Sequence, residues 1–322
     1  MNPILIAATL GDKIDSTFFG FDIWVFKFFG GIQNGFLTTV AKIFTSFGDE
    51  NFVIPMAVLA VVLCFFKKTR KLGFSMLFAI AIGTIVTNVI VKPAVLRVRP
   101  YNTLQATSAW AEYSKWYIGA GALSESDYSF PSGHTTAAFE LAVSVALCLR
   151  EKGKKKLSWI PPVIAICTMG SRVYLMVHYA SDVIGGLIVG TISGVLAFYL
   201  AKLACMIFEK VKFLDNIDAE KVVKKITKKD ISPKAGTATI LAATFIIFLI
   251  AFVPSLSSSD KPRCDYNAEL SQQYGIETEY NCYNEAKTDE KKYPELQEYK
   301  GKHFCKIHYK QLSGQKSILK RL

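Results

Sequence analysis

The chain has 322 residues, of which 51% are hydrophobic, 13% aromatic and 20% charged. The apolar residues gather in long runs with charges between them, which is typical of a polytopic membrane protein. In a soluble protein the formal charge of +12 would suggest a nucleic-acid partner. Here most of the excess lies in short loops beside apolar runs, so it predicts membrane topology and attraction to lipid surfaces, with no nucleic-acid partner.

The first 50 residues are predicted to form short amphipathic helices at the membrane surface. This segment is rich in Phe but carries Asp22, Lys27, Asp49 and Glu50, and two adjacent glycines break it in two. A full membrane span is the competing interpretation. The opening "MNPILIAATLGDK" lacks the basic start and the long apolar run of a signal peptide, so the internal helices are expected to direct insertion.

Six later stretches are apolar enough to be helical spans, although the first and third are short for the 20 or so residues that cross a bilayer. They are residues 52–66, 72–91, 135–149, 158–177, 182–208 and 236–253. The prediction is an all-α, polytopic membrane helical bundle of about six spans. Its parts are N-terminal interfacial helices (1–50), a membrane core (51–210), a basic cytoplasmic linker (211–235), an additional span (236–254) and a polar extracytoplasmic tail (255–322).

Basic clusters follow the first, third and fifth predicted spans. If every span crosses once, these clusters fall on one side, and the positive-inside rule makes that side the cytoplasm. The segments "VRPYN", "FPSGH" and "SRVYLMVHYASD" then share the extracytoplasmic face. Three unusual stretches on one face are what a single composite site would need.

The seven cysteines give no metal-binding spacing. Four lie in apolar runs and are expected to be buried small residues. The other three lie in the tail, where an extracytoplasmic location favours pairing, but three cysteines cannot all pair within one chain. In chain order the two groups are Cys64, Cys148, Cys167 and Cys205, then Cys264, Cys282 and Cys305.

Several ionisable residues stand where predicted spans begin or end. Such groups are costly at membrane depth, so together they are candidates for a functional site. The simpler interpretation for Lys92 taken alone, and for Arg97 in the same stretch, is an interfacial side chain whose charge reaches the water. The six residues whose grouping favours function are Lys92, Arg99, His134, Arg172, His178 and Asp182.

Three of these residues are cations and no comparable acidic cluster accompanies them, which suggests a polyanionic ligand. The planar guanidinium groups of Arg99 and Arg172 suit phosphate oxygens. Ser132 and Gly133 precede a predicted helix, whose first N–H groups and dipole would also attract an anion, and Gly133 lets the backbone approach closely. The stretch is therefore predicted to hold phosphate.

The two histidines and Asp182 suggest nucleophilic catalysis. Asp182 follows His178 by four residues, about one turn if one helix covers both, so its carboxylate could hold one ring nitrogen and leave the other to attack. His134 could protonate the leaving oxygen. A metal site is the rival use of these groups, but the nearby cations would repel a divalent ion and the HExxH spacing is absent.

The stretches "KPAVLRVRP", "PSGH" and "SRVYLMVHYASD" together resemble the three motifs of the type 2 phosphatidic acid phosphatase superfamily, also called the lipid phosphate phosphatase and vanadium haloperoxidase superfamily. The resemblance covers roughly residues 21–208. It implies a helical bundle and catalysis with neither metal nor cofactor. The implied roles are His178 as the nucleophile forming a phosphohistidine, Asp182 orienting it, His134 as general acid, and Lys92, Arg99, Arg172, Ser132 and Gly133 as phosphate-binding residues.

The leading hypothesis is thus a plasma-membrane phosphatase for lipid phosphates or pyrophosphates, with undecaprenyl pyrophosphate, phosphatidylglycerol phosphate and phosphatidic acid as candidates. The long loop 102–129 is expected to shape the entrance with its aromatic residues. A phosphotransferase using an alcohol acceptor would share the motifs. A haloperoxidase is disfavoured because those relatives are soluble, and a scaffold because no motif residue is missing. Bacterial members commonly open with a full span, which surface helices are predicted to replace in this chain.

Overall fold

The structure is a computed structural model that describes residues 9–104, 107–123, 125, 127–228 and 232–257, together with two short strands. Within these ranges the chain is helical, which confirms the all-α prediction. The predictions for Cys264, Cys282 and Cys305 fall outside the described residues. The helices are α1 (Leu10–Gly31), α2 (Gly35–Thr45), α3 (Glu50–Cys64), α4 (Arg70–Thr84), α5 (Lys92–Val95), α6 (Pro100–Thr103), α7 (Trp110–Gly119), α8 (Gly133–Glu151), α9 (Ile160–Tyr174), α10 (Ala180–Lys210), α11 (Lys212–Asp215), α12 (Ala219–Thr227) and α13 (Pro233–Ser257), and the strands β1 (Gln297–Tyr299) and β2 (Lys302–Phe304) pair antiparallel.

Three helical segments in the described part of the chain are long and apolar enough to cross a membrane: Arg70–Thr103, Ala180–Lys210 and Ala235–Val253. A fourth would be the bent pair Gly35–Gly48 and Glu50–Cys64, with a 40° bend. The predicted spans at 135–149 and 158–177 are helices α8 and α9 but are not among these candidates. The total of six spans therefore stays a prediction.

The N-terminal helix α1 begins at a capping box, in which Thr9 and Asp12 satisfy each other's backbone N–H groups. It packs against α7, α9 and α10. Phe26 and Asp22 face this interior, whereas Trp24 and Phe28 on the same helix are exposed. The helix therefore has one buried face that includes a carboxylate and one exposed aromatic face.

Helices α8 and α10 form the central pair of the bundle, and a row of glycines on α10 lets them approach closely. A Cβ at Gly186 would lie 2.8 Å from the Ser132 carbonyl oxygen, and one at Gly190 would lie 2.5 Å from the Thr136 carbonyl oxygen. Small residues at this spacing are the usual way for membrane helices to pack backbone to backbone. The contact brings the start of α8 beside the start of α10.

The opposite end of the bundle gathers the basic loops. Lys68 Nζ lies 2.6 Å from Glu220 Oε1, and Lys71 Nζ lies 2.5 Å from Glu151 Oε2. Lys152 Nζ donates to the Lys68 carbonyl oxygen at 3.0 Å. The loops after the first, third and fifth predicted spans therefore share one end, as their charges predict.

Candidate functional site

The three motif stretches meet at the end of the bundle where α8 and α10 begin. The first stretch, which begins at Lys92, directly follows a π-helical segment, Ile85–Val91, that interrupts the long helix. Such π turns are frequent at functional sites because they re-aim the side chains that follow. The Lys92 side chain is almost fully buried, and its Nζ lies 3.5 Å from the place that a Cβ on Gly133 would occupy.

Ser132 caps α8. Its Oγ accepts from the backbone N–H of Thr135 at 3.4 Å and from the Thr135 hydroxyl at 3.1 Å. The N–H groups of Gly133 and His134 are in the first turn, where an α-helix supplies no acceptor of its own. The helix start therefore presents backbone donors beside the Lys92 ammonium, as the predicted phosphate cradle requires.

His178 lies in a turn between α9 and α10 and is fully buried. Because α10 begins at Ala180, His178 is outside the helix, and the one-turn relation to Asp182 assumed from the sequence does not apply. Nδ1 of His178 nevertheless lies 3.5 Å from Oδ2 of Asp182. The preceding Met176 has φ of +59°, a backbone conformation that L-residues rarely adopt and that is common at functional sites.

The hydrogen bonds around His178 fix which ring nitrogen is available. Arg99 Nη1 lies 3.0 Å from Nε2 and can only donate, so Nε2 carries the lone pair and Nδ1 carries the proton. Burial first, and then the charge of Arg99, lower the pKa of His178 to about 4. The imidazole is therefore neutral near pH 7, with Nε2 facing the cations.

His134, the first-turn residue of α8, lies between two carboxylates. Its Nε2 is 3.8 Å from Asp49 Oδ2 and its Nδ1 is 3.9 Å from Glu125 Oε1. Burial would raise the pKa of Asp49, but the interaction with the neighbouring His134 outweighs it and the pKa is lowered. The close approach of Gly48 to the His134 backbone, where a Cβ would lie 2.4 Å from the carbonyl oxygen, holds the Asp49 loop against α8.

Two carboxylates, Glu125 and Asp127, lie among the cations, so the expectation of a site without a comparable acidic cluster is wrong. Oε2 of Glu125 is 2.6 Å from Arg99 Nη2, and its Oε1 pairs with Arg172 Nη2. Asp127 pairs with both Lys92 and Arg99. Burial would raise the pKa of each carboxyl, but the neighbouring cations outweigh it and hold both below their usual range.

The Glu125 carboxylate stands at the centre of the predicted site. Besides its two arginine partners, its Oε2 lies 3.8 Å from Nε2 of His178 and its Oε1 lies 3.9 Å from Nδ1 of His134. Arg172 also donates to Thr45 Oγ1 at 2.6 Å, and its buried Nε has no partner among the described residues. One buried donor of Arg172 is therefore left without an acceptor at this centre, within the part of the chain that the structure describes.

Arg97, interpreted from the sequence as an interfacial side chain, is instead 1% exposed, so that interpretation is wrong. Its guanidinium pairs with Asp182, Asp15 and Asp22. The loop 102–129 contains helix α7, whose Tyr117 is buried. That this loop shapes the entrance stays a prediction.

The structure brings every predicted site residue to this end of the bundle and adds Glu125, Asp127, Asp49, Ser129 and Arg97. Across the described residues, no group of three His, Cys, Asp or Glu side chains is arranged to hold a metal ion.

Comparison with known proteins gives consistent results. The PAP2 superfamily profile matches residues 72–206. An undecaprenyl-diphosphatase of Sulfolobus acidocaldarius is 30% identical over 173 residues, which are 53% of this chain and 74% of that relative. The phosphatidylglycerophosphatase B of Bacillus subtilis is 30% identical over 177 residues, or 53% of this chain and 76% of that protein.

Among solved structures, the crystal structure of a transmembrane PAP2 type phosphatidylglycerolphosphate phosphatase from Bacillus subtilis is 29% identical, with a TM-score of 0.47, and the match covers 60% of this chain and 89% of that one. The segment matched by the superfamily profile contains every residue of the three motif stretches, from Lys92 to Asp182.

Proposed function

This chain belongs to the PAP2 superfamily, and from that premise we propose that it hydrolyses a membrane lipid phosphate or pyrophosphate through a phosphohistidine at His178. The enzyme class, a lipid phosphatase in a membrane, follows from the family. The observation that carries the mechanism is the arrangement around Glu125, where Arg99, Arg172 and both histidines surround one anionic position. A substrate phosphate would take that position after the carboxylate moves away.

In the first step Nε2 of His178 attacks the phosphorus. The N–P bond forms as the bond from phosphorus to the leaving oxygen breaks, and His134 gives its proton to that oxygen. Nδ1 keeps its proton, which faces the Asp182 carboxylate, and the negative charge of that carboxylate stabilises the positive charge that develops on the ring. The leaving group is the lipid alcohol, or the lipid monophosphate when the substrate is a pyrophosphate.

In the second step water attacks the phosphohistidine. His134, now neutral, takes a proton from the water as the O–P bond forms, and the N–P bond returns its electron pair to Nε2. Inorganic phosphate leaves, and both histidines regain their starting states. The net reaction consumes one water for each phosphate released.

The remaining groups stabilise the transferring phosphoryl group. Its equatorial oxygens would meet Arg99, Arg172 and Lys92, together with the N–H groups at the start of α8. These cations are held in place before the substrate arrives, because their side chains are buried. Lys92 lies on α5, Arg99 directly precedes α6 and Arg172 lies on α9. No step in this scheme calls for a metal ion.

The side of the membrane and the lipid are further parts of the proposal. The basic loops cluster at the end opposite the site, so the positive-inside rule supports a site on the extracytoplasmic face of the plasma membrane. The substrates named for the relatives, an undecaprenyl diphosphate and a phosphatidylglycerophosphate, support a lipid with a terminal phosphate at the bilayer surface. Undecaprenyl pyrophosphate and phosphatidylglycerol phosphate lead the list, with phosphatidic acid behind them.

Phosphate release from these three lipids by the purified protein in detergent and EDTA tests the proposal. We expect wild-type protein and the His303→Gln control, in β2 of the tail, to release phosphate, and His178→Gln to lose the activity. Wild-type protein that is folded but releases nothing would contradict hydrolysis. A phosphorylated alcohol appearing in place of free phosphate would indicate a phosphotransferase.

A further inference from the structure

The Arg97 side chain is buried beside Asp182, the carboxylate proposed to orient the nucleophile. Its Nη1 donates to Asp182 Oδ1 at 2.6 Å and to Ser181 Oγ at 2.7 Å. We infer that Arg97 is a positioning residue that holds Asp182 in the orientation required by His178. This inference rests on the proposed phosphohistidine chemistry.

The two oxygens of Asp182 have separate partners. Arg97 binds Oδ1, while Oδ2 accepts from the Ser129 hydroxyl at 2.5 Å and from the Tyr179 backbone N–H at 2.9 Å and lies 3.5 Å from Nδ1 of His178. A carboxylate bound on both oxygens cannot rotate without breaking one set of bonds. Arg97 thereby keeps Oδ2 directed at the histidine.

Arg97 is itself held on its other edges by helix α1. Its Nε donates to Asp15 Oδ1 at 2.8 Å and its Nη2 donates to Asp22 Oδ2 at 2.9 Å. Asp22 also accepts from the backbone N–H and the hydroxyl of Ser181, at 2.8 and 2.7 Å. The guanidinium fork thus joins α1 to the first turn of α10.

The guanidinium of Arg97 also makes a cation–π contact, since its Cζ lies 4.0 Å from the centroid of the Tyr179 ring. This contact further restricts the orientation of the guanidinium. Asp15 and Asp22 lie outside the segment matched by the PAP2 superfamily, residues 72–206. The link from α1 to the nucleophile is therefore a feature of this chain in addition to the three motifs. It gives the predicted surface helix a direct connection to the chemistry.

Arg97 also sets the electrostatics of the histidine–aspartate pair. One guanidinium faces three carboxylates, so replacing it by a neutral side chain would leave the carboxylate at Asp182 without its closest positive partner. The pair would then accept a proton more readily, which raises the pKa of His178. The charged groups around the pair are Arg97, Arg99 and Arg172, with Asp15, Asp22 and Glu125.

The rise in the pKa of His178 predicts the direction in which the pH profile of activity moves. Attack requires neutral His178, so kcat/KM falls on the acid side as the imidazole takes up a proton. With a raised pKa this fall begins at higher pH, by about one pH unit for the loss of one cation beside the histidine–aspartate pair. A residue that only stabilises the fold would leave the position of this limb unchanged.

The test compares Arg97→Gln, Arg97→Lys and Arg70→Gln in steady-state hydrolysis across pH, with thermal unfolding of each. Arg70 is the matched control, since it is also buried but lies at the start of α4, at the end of the bundle opposite the site. There it donates to the carbonyl oxygens of Cys64 and Ile217. We expect Arg97→Gln to lower kcat about 100-fold, as a misplaced catalytic group does, with little change in KM and an acid limb shifted upward. Arg97→Lys keeps the charge, so its limb should stay near that of wild type while kcat falls less.

The inference would be overturned if the folded Arg97→Gln variant had the kcat and the pH profile of wild type. It would also be overturned if the variant lost activity only in proportion to its loss of folded protein. If Arg97→Gln does not fold, the Arg97→Lys variant decides: a kcat equal to that of wild type would overturn the inference. An inactive wild-type protein, or an active His178→Gln variant, would remove the proposed function and this inference together. If wild-type protein is active, His178→Gln is inactive and the Arg97 variants behave like wild type, the proposed function stands and only the inference about Arg97 fails.

Discussion

At the scale of single residues, the most informative side chain is Glu125. Its carboxylate binds Arg99 and Arg172 and approaches both histidines, so it lies where the proposed mechanism needs the substrate phosphate. Two anions cannot share this position, because like charges a few ångströms apart repel strongly in a buried site. Glu125 must therefore leave before the substrate phosphate binds.

This competition predicts the behaviour of Glu125→Gln toward phosphate analogues. A neutral amide competes less well for the arginines, so orthovanadate should inhibit the variant at a concentration about tenfold lower than wild type, which corresponds to about 1.4 kcal/mol. Inhibition curves for the two proteins measure this. The control is Glu112→Gln on α7, whose carboxylate is largely exposed. Equal or weaker inhibition of Glu125→Gln would contradict the competition.

At the scale of the elements, the close contact of α8 with α10 sets the site's geometry. The first turn of α8 carries His134 and the backbone donors, while the turn that leads into α10 carries His178. Gly190 lies about three turns further along α10, where a Cβ would be 2.5 Å from the Thr136 carbonyl oxygen. An alanine there must push the two helices apart.

We therefore expect Gly190→Ala to destabilise the protein by about 1–3 kcal/mol, as overpacking does, and to lower activity by displacing the start of α8. Gly170→Ala on α9 is the matched control, because nothing lies within 4 Å of the place its Cβ would take. That change should be neutral or stabilising by about 0.5–1 kcal/mol, since alanine suits a helix interior better than glycine. Thermal unfolding of both variants measures these changes in stability. Equal changes in the two variants would contradict the packing argument.

The elements also show what the sequence could and could not predict. The three motif stretches were recognisable because each places unusual polar residues where an apolar run begins or ends, and the structure brings them together. Arg97 stood in the same stretch as Lys92 and Arg99, but its partners Asp15 and Asp22 are 82 and 75 residues away. Glu125 lies in a loop without any periodic pattern. Contacts of this kind depend on tertiary packing, which local spacing does not encode.

At the scale of the whole molecule, the bundle has a polar site at one end and basic loops at the other. The site end combines the α8 start, the turn before α10 and the buried face of α1. The opposite end joins the loops at Lys68, Lys71 and Lys152 through contacts with Glu220 and Glu151. This polarity supports a phosphatase that reaches its lipid from one face of the membrane.

The central claim, covalent transfer of phosphate to His178, is tested most directly by trapping the intermediate. The protein is mixed with a lipid substrate labelled in its terminal phosphate and quenched in alkali, in which phosphohistidine survives, and the labelled peptide is identified. We predict label at His178 in wild-type protein and none in His178→Gln, with unchanged labelling in His303→Gln. Phosphate release by wild-type protein without labelled histidine, or label retained in His178→Gln, would contradict the account.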